Sequence, residues 1–359
     1  MLTIIYAYRN RDVARVKASL VSLQMQTQQN FNIVFVDYGS EESYAQEVQK
    51  VVSGFVFATY YYIAHPGLLW NKSKALNYGI HKATTPYVFL TDVDVVFHPS
   101  LTAVIQQLTT PGRFYLFTIG YLPKEINTKE AQQLPFEQRK PTHTGDTFGI
   151  GLFPLEALHK VEGLDTFFHF YGSEDADVNT RLQQAGYTLT RHKPLLIQHL
   201  WHPRYPVKKD NKLTVQPRLT NVQRINQRHF LRNREKGIIK PSRQDTLGNV
   251  ISKEESDLLQ KPTKTIKIYN ILAHVEHFLG EELPSYIGEI IKVEFIEDPY
   301  YHTLKHKLKK LLGKQTQPYC SMKEVNDMVL KEIVYNYRDA NYSFEISNDF
   351  KAIIFKIQL

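Results

Sequence analysis

The sequence predicts an α/β fold, a mostly parallel sheet flanked by helices, with a small α+β domain at its C-terminal end. Three observations lead there. Short β-branched and aromatic runs alternate with helix-length amphipathic segments over residues 2–91, and strands joined through helices run parallel. Runs such as NIVFV (32–36) are apolar almost without alternation, as in a sheet covered on both faces. Far downstream, SFEIS and AIIFKIQL follow a set of helical segments and read as strands of a separate unit.

Taken in order, residues 2–8 (LTIIYAY) read as a strand and 12–26 as a helix. Residues 31–37 (FNIVFVD), 55–63 (FVFATYYYI) and 87–91 read as further strands, separated by helices at 41–52 and 72–83. From 113 to 147 the pattern loosens into a polar, proline-bearing stretch, expected to be a mobile loop over the site. Strand and helix character resumes over 148–161, an acidic helix start follows at 171–182, and PLLIQHLWHP is strand-like. Residues 206–265 are basic, Gln/Asn-rich and poorly periodic, which predicts an extended wrap or linker. Helices near 270–280, 300–313 and 323–335 complete the chain. The expected organisation is therefore a first domain over 1–205, the linker over 206–265 and the small domain over 266–359.

With 359 residues, 42% hydrophobic and 22% charged, the chain can bury a large core and is long for one compact unit. Its one cysteine, Cys320, excludes an intrachain disulfide and a cysteine-built zinc site. The N-terminus lacks a basic stretch followed by an apolar core, and no run is apolar enough to span a bilayer. A cytoplasmic location, with a peripheral place at the inner face of a membrane, is the expectation. The net charge of +8 is concentrated in 202–243 and 302–314, which points to anionic partners. No zinc-finger spacing or RNA-binding aromatic motif is present, so nucleic acid is not expected.

In open parallel sheets, ligands bind beyond the carboxyl ends of the strands. Those ends carry Tyr8-Arg9-Asn10-Arg11, Asp37-Tyr38-Gly39-Ser40, His65-Pro66-Gly67 and Asp92-Val93-Asp94. A bare Asp-x-Asp is commonly a turn or cap. Two carboxylates so close repel unless a cation lies beside them, and oxygen ligands suit Mg²⁺ or Mn²⁺ held jointly with substrate phosphates. Asp37 either closes an Asx turn or accepts from a base or ribose. Glu174, Asp175 and Asp177 exceed what a helix start needs for capping, so one of them is a candidate general base, with Gly172 allowing close approach. His199 and His202, after a strand, can supply the further ligand for an Asp-bound metal.

Six segments in this order, YAYRNRD (6–12), VDYGS (36–40), WNKSKALNYGI (70–80), FLTDVDVVF (89–97), FYGSEDADVNTRL (170–182) and IQH (197–199), resemble the metal-dependent GT-A glycosyltransferases. Within them the resemblance is to family 2 and the β-1,4-galactosyltransferase-like group, and it covers about residues 1–205. It implies a GT-A fold and transfer of a hexose or N-acetylhexosamine from a UDP-sugar to a saccharide or glycoconjugate acceptor, with Mn²⁺ or Mg²⁺. By resemblance, Tyr8, Arg9 and Arg11 line the nucleotide pocket, with Trp70 and Val93 also on the donor side. Asp37 meets the uracil or ribose, Lys72 or Lys74 approaches the diphosphate, and Asp92 turns toward the ribose or sugar. Asp94 is the implied metal ligand with His199, or His202 in its place. Glu174, beside Tyr171 and Gly172, holds the acceptor hydroxyl, and Asp175 is the implied base of an inverting transfer.

Lys72 stands where that group has arginine, and Tyr171 and Ser173 replace its Trp and second Gly, which loosens the expectation for the acceptor. The family's anchored animal members contrast with this chain, which points to bacterial surface polysaccharide or glycoconjugate synthesis. Two rival readings are a nucleotidyltransferase, which would normally carry a Gly-rich phosphate loop near the first strand, and a non-catalytic module that binds UDP-sugar. Residues 300–314 (YYHTLKHKLKKLLGK) place leucines on one face and lysines largely off it. They read either as a core-packed helix or as one that contacts an anionic membrane.

Overall fold

A computed structural model describes residues 1–203, 205–241 and 250–359. The chain divides into two compact units. The first comprises Met1–Ile63, Trp70–Arg204 and Gln223–Val250, and the second Ala64–Leu69, Tyr205–Val222 and Ile251–Leu359.

The first unit runs β1 (Leu2–Tyr8), α1 (Val13–Gln24), β2 (Phe31–Tyr38), α2 (Glu42–Val52), β3 (Ala58–Ile63), α3 (Lys72–Lys82), β4 (Tyr87–Thr91) and β5 (Val95–Phe97). It continues with α4 (Leu101–Gln107), β6 (Arg113–Tyr121), α5 (Thr128–Gln133), β7 (His143–Pro154), α6 (Leu155–Lys160), α7 (Glu174–Gln184), β8 (Thr188–His199) and α8 (Val222–Glu235). One eight-stranded sheet has the order β3-β2-β1-β4-β7-β6-β8-β5. Its first four strands are parallel, as predicted. Strand β7 then joins antiparallel to both β4 and β6, β8 runs parallel to β6 and β5 antiparallel to β8.

The chain steps outward from β1 to β2 and β3, then returns to the other side of β1 as β4. That reversal is the switch point where open α/β sheets bind ligands. Buried aromatics from successive strands, Tyr6, Phe35, Phe89 and Phe117 among them, fill one core under α1 and α2. On the other face, a side chain at Gly79 of α3 would collide with Ile5, so α3 lies close on β1 because that position has no Cβ. Side-chain caps start two of these helices: Asp12 accepts from Ala14 N at 2.9 Å, and Asn71 from Lys74 N at 2.9 Å.

Two segments differ from expectation. Residues 113–121 and 143–154 are paired strands of the sheet, with Tyr121 opposite His143, so only 122–142 connects them; RFYLFTIGY is strand-forming aromatic and β-branched sequence. Part of the expected linker is α8, whose inward face is polar: Asn226 and Asn233 are buried and His229 nearly so. A helix that buries Asn, His and Asn carries no apolar period for a sequence pattern to detect.

In the second unit come α9 (Lys253–Leu258), β9 (Lys264–Tyr269), α10 (Leu272–His277), β10 (Ile290–Ile296), α11 (Leu304–Leu311), α12 (Met322–Glu332), β11 (Tyr342–Ile346) and β12 (Ala352–Gln358). A four-stranded sheet of order β11-β12-β10-β9 buries alternate residues of β10 and β12, Ile291, Val293, Phe295, Ile353, Phe355 and Ile357, so one face is wet and the other forms a core. Segment 64–69 belongs here: Phe344 N donates to Gly67 O at 2.9 Å, and Leu69 N to the Tyr342 hydroxyl at 3.1 Å. The leucines of α11 point outward rather than into this core. No described helix is long and apolar enough to cross a membrane.

Candidate active site

Strand β4 ends at Thr91, and Asp92-Val93-Asp94 leads directly into β5. Because β5 pairs with the end of β8, Val95 opposite His199, with Leu200 N bonded to Asp94 O at 2.9 Å, the carboxyl end of β8 is carried to Asp94. His199 Nε2 lies 3.5 Å from Asp94 Oδ1, and His202 Nε2 lies 3.1 Å from Oδ2. The sequence left these two histidines as alternatives; the fold brings one to each carboxylate oxygen. Potential ligand atoms of the three residues lie within 4.8 Å of one another.

The donor set fits a divalent ion on this structure's own terms. Asp94 Oδ1 is buried without a hydrogen-bond partner, a costly state unless a cation compensates it. His202 Nδ1–H donates to the Pro203 carbonyl at 2.8 Å, which turns Nε2 toward the carboxylate. Burial pushes the Asp94 carboxyl up, but the His202 hydrogen bond and the charges of His199, His202 and Arg11 outweigh it and hold it down at about 2.

A second group forms where α3 meets α7. Asn77 Nδ2 donates to Leu164 O at 2.8 Å, Leu164 N returns a bond to Asn77 Oδ1 at 2.8 Å, and Asn71 Nδ2 donates to Thr166 O at 2.7 Å. These amides clamp the segment leading into α7 onto α3. Lys72, at the start of α3, then reaches Asp92 Oδ1 at 3.0 Å and Asp175 Oδ2 at 3.7 Å, so one ammonium bridges the strand-end aspartate and the α7 acid. Desolvation by burial pushes Asp175 up to about 7; Lys72 opposes this, and the charges of Glu174 and Asp92 add to it. Asp175 also needs Gly149 of β7, since a side chain there would collide with its carboxylate.

The turn before α7 is held in an uncommon conformation: Phe170 (φ 63°), Gly172 (φ 101°) and Ser173 (φ 75°) all have positive φ. From α8, Asn226 Nδ2 donates to the His169 and Tyr171 carbonyls at 3.0 and 3.1 Å. Behind it, Asp177 is buried in an ion pair with Arg181 at 2.6 Å and accepts from Asn233 at 3.1 Å. Asp165, bonded to His229 at 2.8 Å, completes the network. Of the three clustered acids, Asp177 is therefore held in this network, while Asp175 meets Lys72 and Glu174 lines a cleft. Tyr171 is 49% exposed. A small cleft there is lined by Lys72, His169, Tyr171 and Glu174. A cavity of about 290 Å³ lined by His98, Phe136, Arg139 and Gln198 contains none of these residues.

Four residues assigned to the donor side do not line open space. Tyr8, Asp37, Lys74 and Val93 are buried. The Tyr8 hydroxyl donates to Arg11 O at 2.7 Å. Asp37 accepts from Ser40 N at 3.0 Å and from the Tyr60 hydroxyl at 2.8 Å, and burial pushes its carboxyl up despite those bonds and Arg9. The Tyr8 and Asp37 side chains close the ends of β1 and β2, because a sheet edge buried this deeply must satisfy its own polar groups first. Trp70 is half-buried, edge-on to Tyr38 at 6.0 Å, and Arg11 is exposed. Lys72 rather than Lys74 is thus the lysine at the site. Sequence reading passed over Asn71 and Asn77, although both stand in the WNKSKALNYGI segment, and Asn226, which no motif marks.

Residues 3–155 match the glycosyl transferase family 2, and residues 131–204 match the family described as N-terminal domain of galactosyltransferase. Residues 3–155 form a family 2 glycosyltransferase domain. The two matched stretches contain every residue of the two clusters just described. No curated protein matches the chain. Among solved structures, a mannosyltransferase from Pyrobaculum calidifontis in complex with GDP-Man and Mn²⁺ is similar at a TM-score of 0.41 and 16% identity, over 58% of this chain and 59% of that one. GalNAc-T7 with UDP, GalNAc and Mn²⁺ gives 0.44 and 12%, over 57% and 44%. The chain spans about half the length of these structures.

Proposed function

We propose that the protein transfers a hexose or N-acetylhexosamine from a UDP-sugar to a saccharide or glycoconjugate acceptor, with inversion, in bacterial surface polysaccharide synthesis. The observation that carries this reading is Lys72 between Asp92 and Asp175, beside a second cluster of Asp94, His199 and His202. One side of the site is thus built for a diphosphate and the other for a proton acceptor.

Asp175 is the base. A carboxylate pushed up toward neutrality takes a hydroxyl proton far better than an ordinary one, and Glu174 accepts from the same acceptor to orient it. As the acceptor oxygen forms its bond to the anomeric carbon, the bond to the diphosphate breaks on the opposite face, and the proton passes to Asp175. Lys72 holds Asp92 toward the donor and meets negative charge on the phosphates as a point charge. Arg11, exposed beside Asp94, extends the positive rim. A divalent ion, Mn²⁺ or Mg²⁺, held by Asp94, His199 and His202 would neutralise charge growing on the UDP.

The test is UDP release by the full chain from UDP-Gal, UDP-GalNAc, UDP-Glc, UDP-GlcNAc and UDP-GlcA, with and without Mn²⁺, and NMR of the product's anomeric configuration. Metal-dependent release with one donor and an inverted product is expected. Pyrophosphate release from a nucleoside triphosphate would support nucleotidyl transfer instead, and UDP-sugar binding without turnover a non-catalytic module.

A further inference from the structure

Helix α11 turns the usual pattern of a soluble helix inside out. Its buried residue is His306, whose Nδ1–H donates to the Tyr301 carbonyl at 2.8 Å and whose ring meets Tyr319 edge-on at 5.2 Å. At 100° per residue, Leu304, Leu308, Leu311 and the following Leu312 fall within an arc of about 100° whose centre lies about 170° from His306. They are 77, 59, 86 and 67% exposed. Lys305 and Lys309 flank that arc on one side, and Lys307 and Lys310 on the other. With Lys314, the segment 304–314 has five lysines and no acid in eleven residues.

Four adjacent leucines turned to water form the kind of patch that marks a contact surface. The lysines select what it contacts. A second copy of the same helix would bring five positive charges against five, so self-pairing is opposed. An apolar ridge with cations along both edges matches a helix lying in a bilayer interface, its lysine stems reaching up to phosphate headgroups.

We propose that α11 docks on an anionic lipid bilayer, with Leu304, Leu308, Leu311 and Leu312 entering the acyl boundary and the flanking lysines on the headgroup phosphates. This surface is independent of the donor and base chemistry; given the transfer proposed above, it would hold the enzyme beside a lipid-linked saccharide.

The test is co-sedimentation of the full chain with vesicles of phosphatidylcholine alone or mixed with phosphatidylglycerol. Binding to the mixed vesicles, lost at about 0.5 M salt where the Debye length is a few ångströms, is expected. K305Q/K309Q/K310Q should lower partitioning on the order of a hundredfold. L308S/L311S, at exposed positions that leave melting unchanged, should abolish it while UDP release with a soluble acceptor stays at the parent rate. Equal binding to neutral vesicles, or binding to neither, would overturn the proposal. So would self-association in sedimentation velocity that L308S/L311S removes, which would identify a second copy as the occupant.

Discussion

Replacing Lys72 by glutamine separates the proposed base, Asp175, from the cation that tunes it. Lys72 Nζ lies 3.7 Å from Asp175 Oδ2, with both side chains largely buried. At an effective dielectric of about 20–40, a pair at that distance interacts by roughly 2–4.5 kcal/mol, equal to about 1.5–3 pH units. The sign follows from charge: the ammonium favours the carboxylate, so its loss raises the Asp175 pKa above the value of about 7 that it has beside Lys72. A base works only when deprotonated, so in the parent kcat/KM should climb with pH and level off above about 7. In K72Q that acid limb should move to higher pH by roughly 1.5–3 units, while K72R, which keeps the charge, should leave it near its place. The assay is the initial rate of UDP release over about pH 5 to 10 at low substrate, where kcat/KM reports the free enzyme. Limb position is the readout, because losing Lys72 also releases Asp92 and lowers the plateau. D175N should lower the rate by about 10²–10⁴-fold while calorimetry still detects UDP binding. A K72Q limb at the parent's pH, or D175N turning over near the parent rate, would refute the assignment.

Other parts of the site make separate predictions. D94A and H202A should each weaken Mn²⁺ binding at least about tenfold, read by electron paramagnetic resonance of free Mn²⁺; unchanged binding would remove the cluster from the mechanism. G149A should displace the Asp175 carboxylate and cost on the order of a hundredfold in turnover, the effect of about 1 Å of misplacement, with UDP affinity unchanged. D177A, which strands Arg181 in a pair where each side chain is 1% exposed, should destabilise the protein by about 3–5 kcal/mol in denaturant titration.

The alternation of β1 through β4 with their helices was legible because parallel strands buried on both faces need long apolar runs, and crossover helices need their own period. The carboxyl-end rule then put Asp92 and Asp94 on the expected ligand edge, together with the ends of the first three strands. Helix α8 was not legible, since Asn226, His229 and Asn233 form its buried face and their partners, Asp165, Asp177 and the 169–171 carbonyls, lie more than 50 residues away in the chain. The first half of the β6 and β7 ribbon was missed, although strand character was read from 148, because residues 143–149 of β7 are mostly polar and largely exposed while only 150–154 are buried.

Residue types and order settle what chemistry is available here: two strand-end aspartates, an acid cluster after a glycine turn, two histidines after a strand, and a leucine–lysine segment near the C-terminal end. Which acid is tied into the fold was decided by folding, because Arg181 and Asn233 hold Asp177 while Gly149 makes room for Asp175 beside Lys72. The same holds for the histidines, which pairing of β5 with β8 delivers together to Asp94, and for Lys72, which the Asn71 and Asn77 clamps set between two carboxylates. Side-chain chemistry is local to a residue, but its pKa and its partners depend on what distant segments bring within about 4 Å, and only the tertiary structure holds those distances.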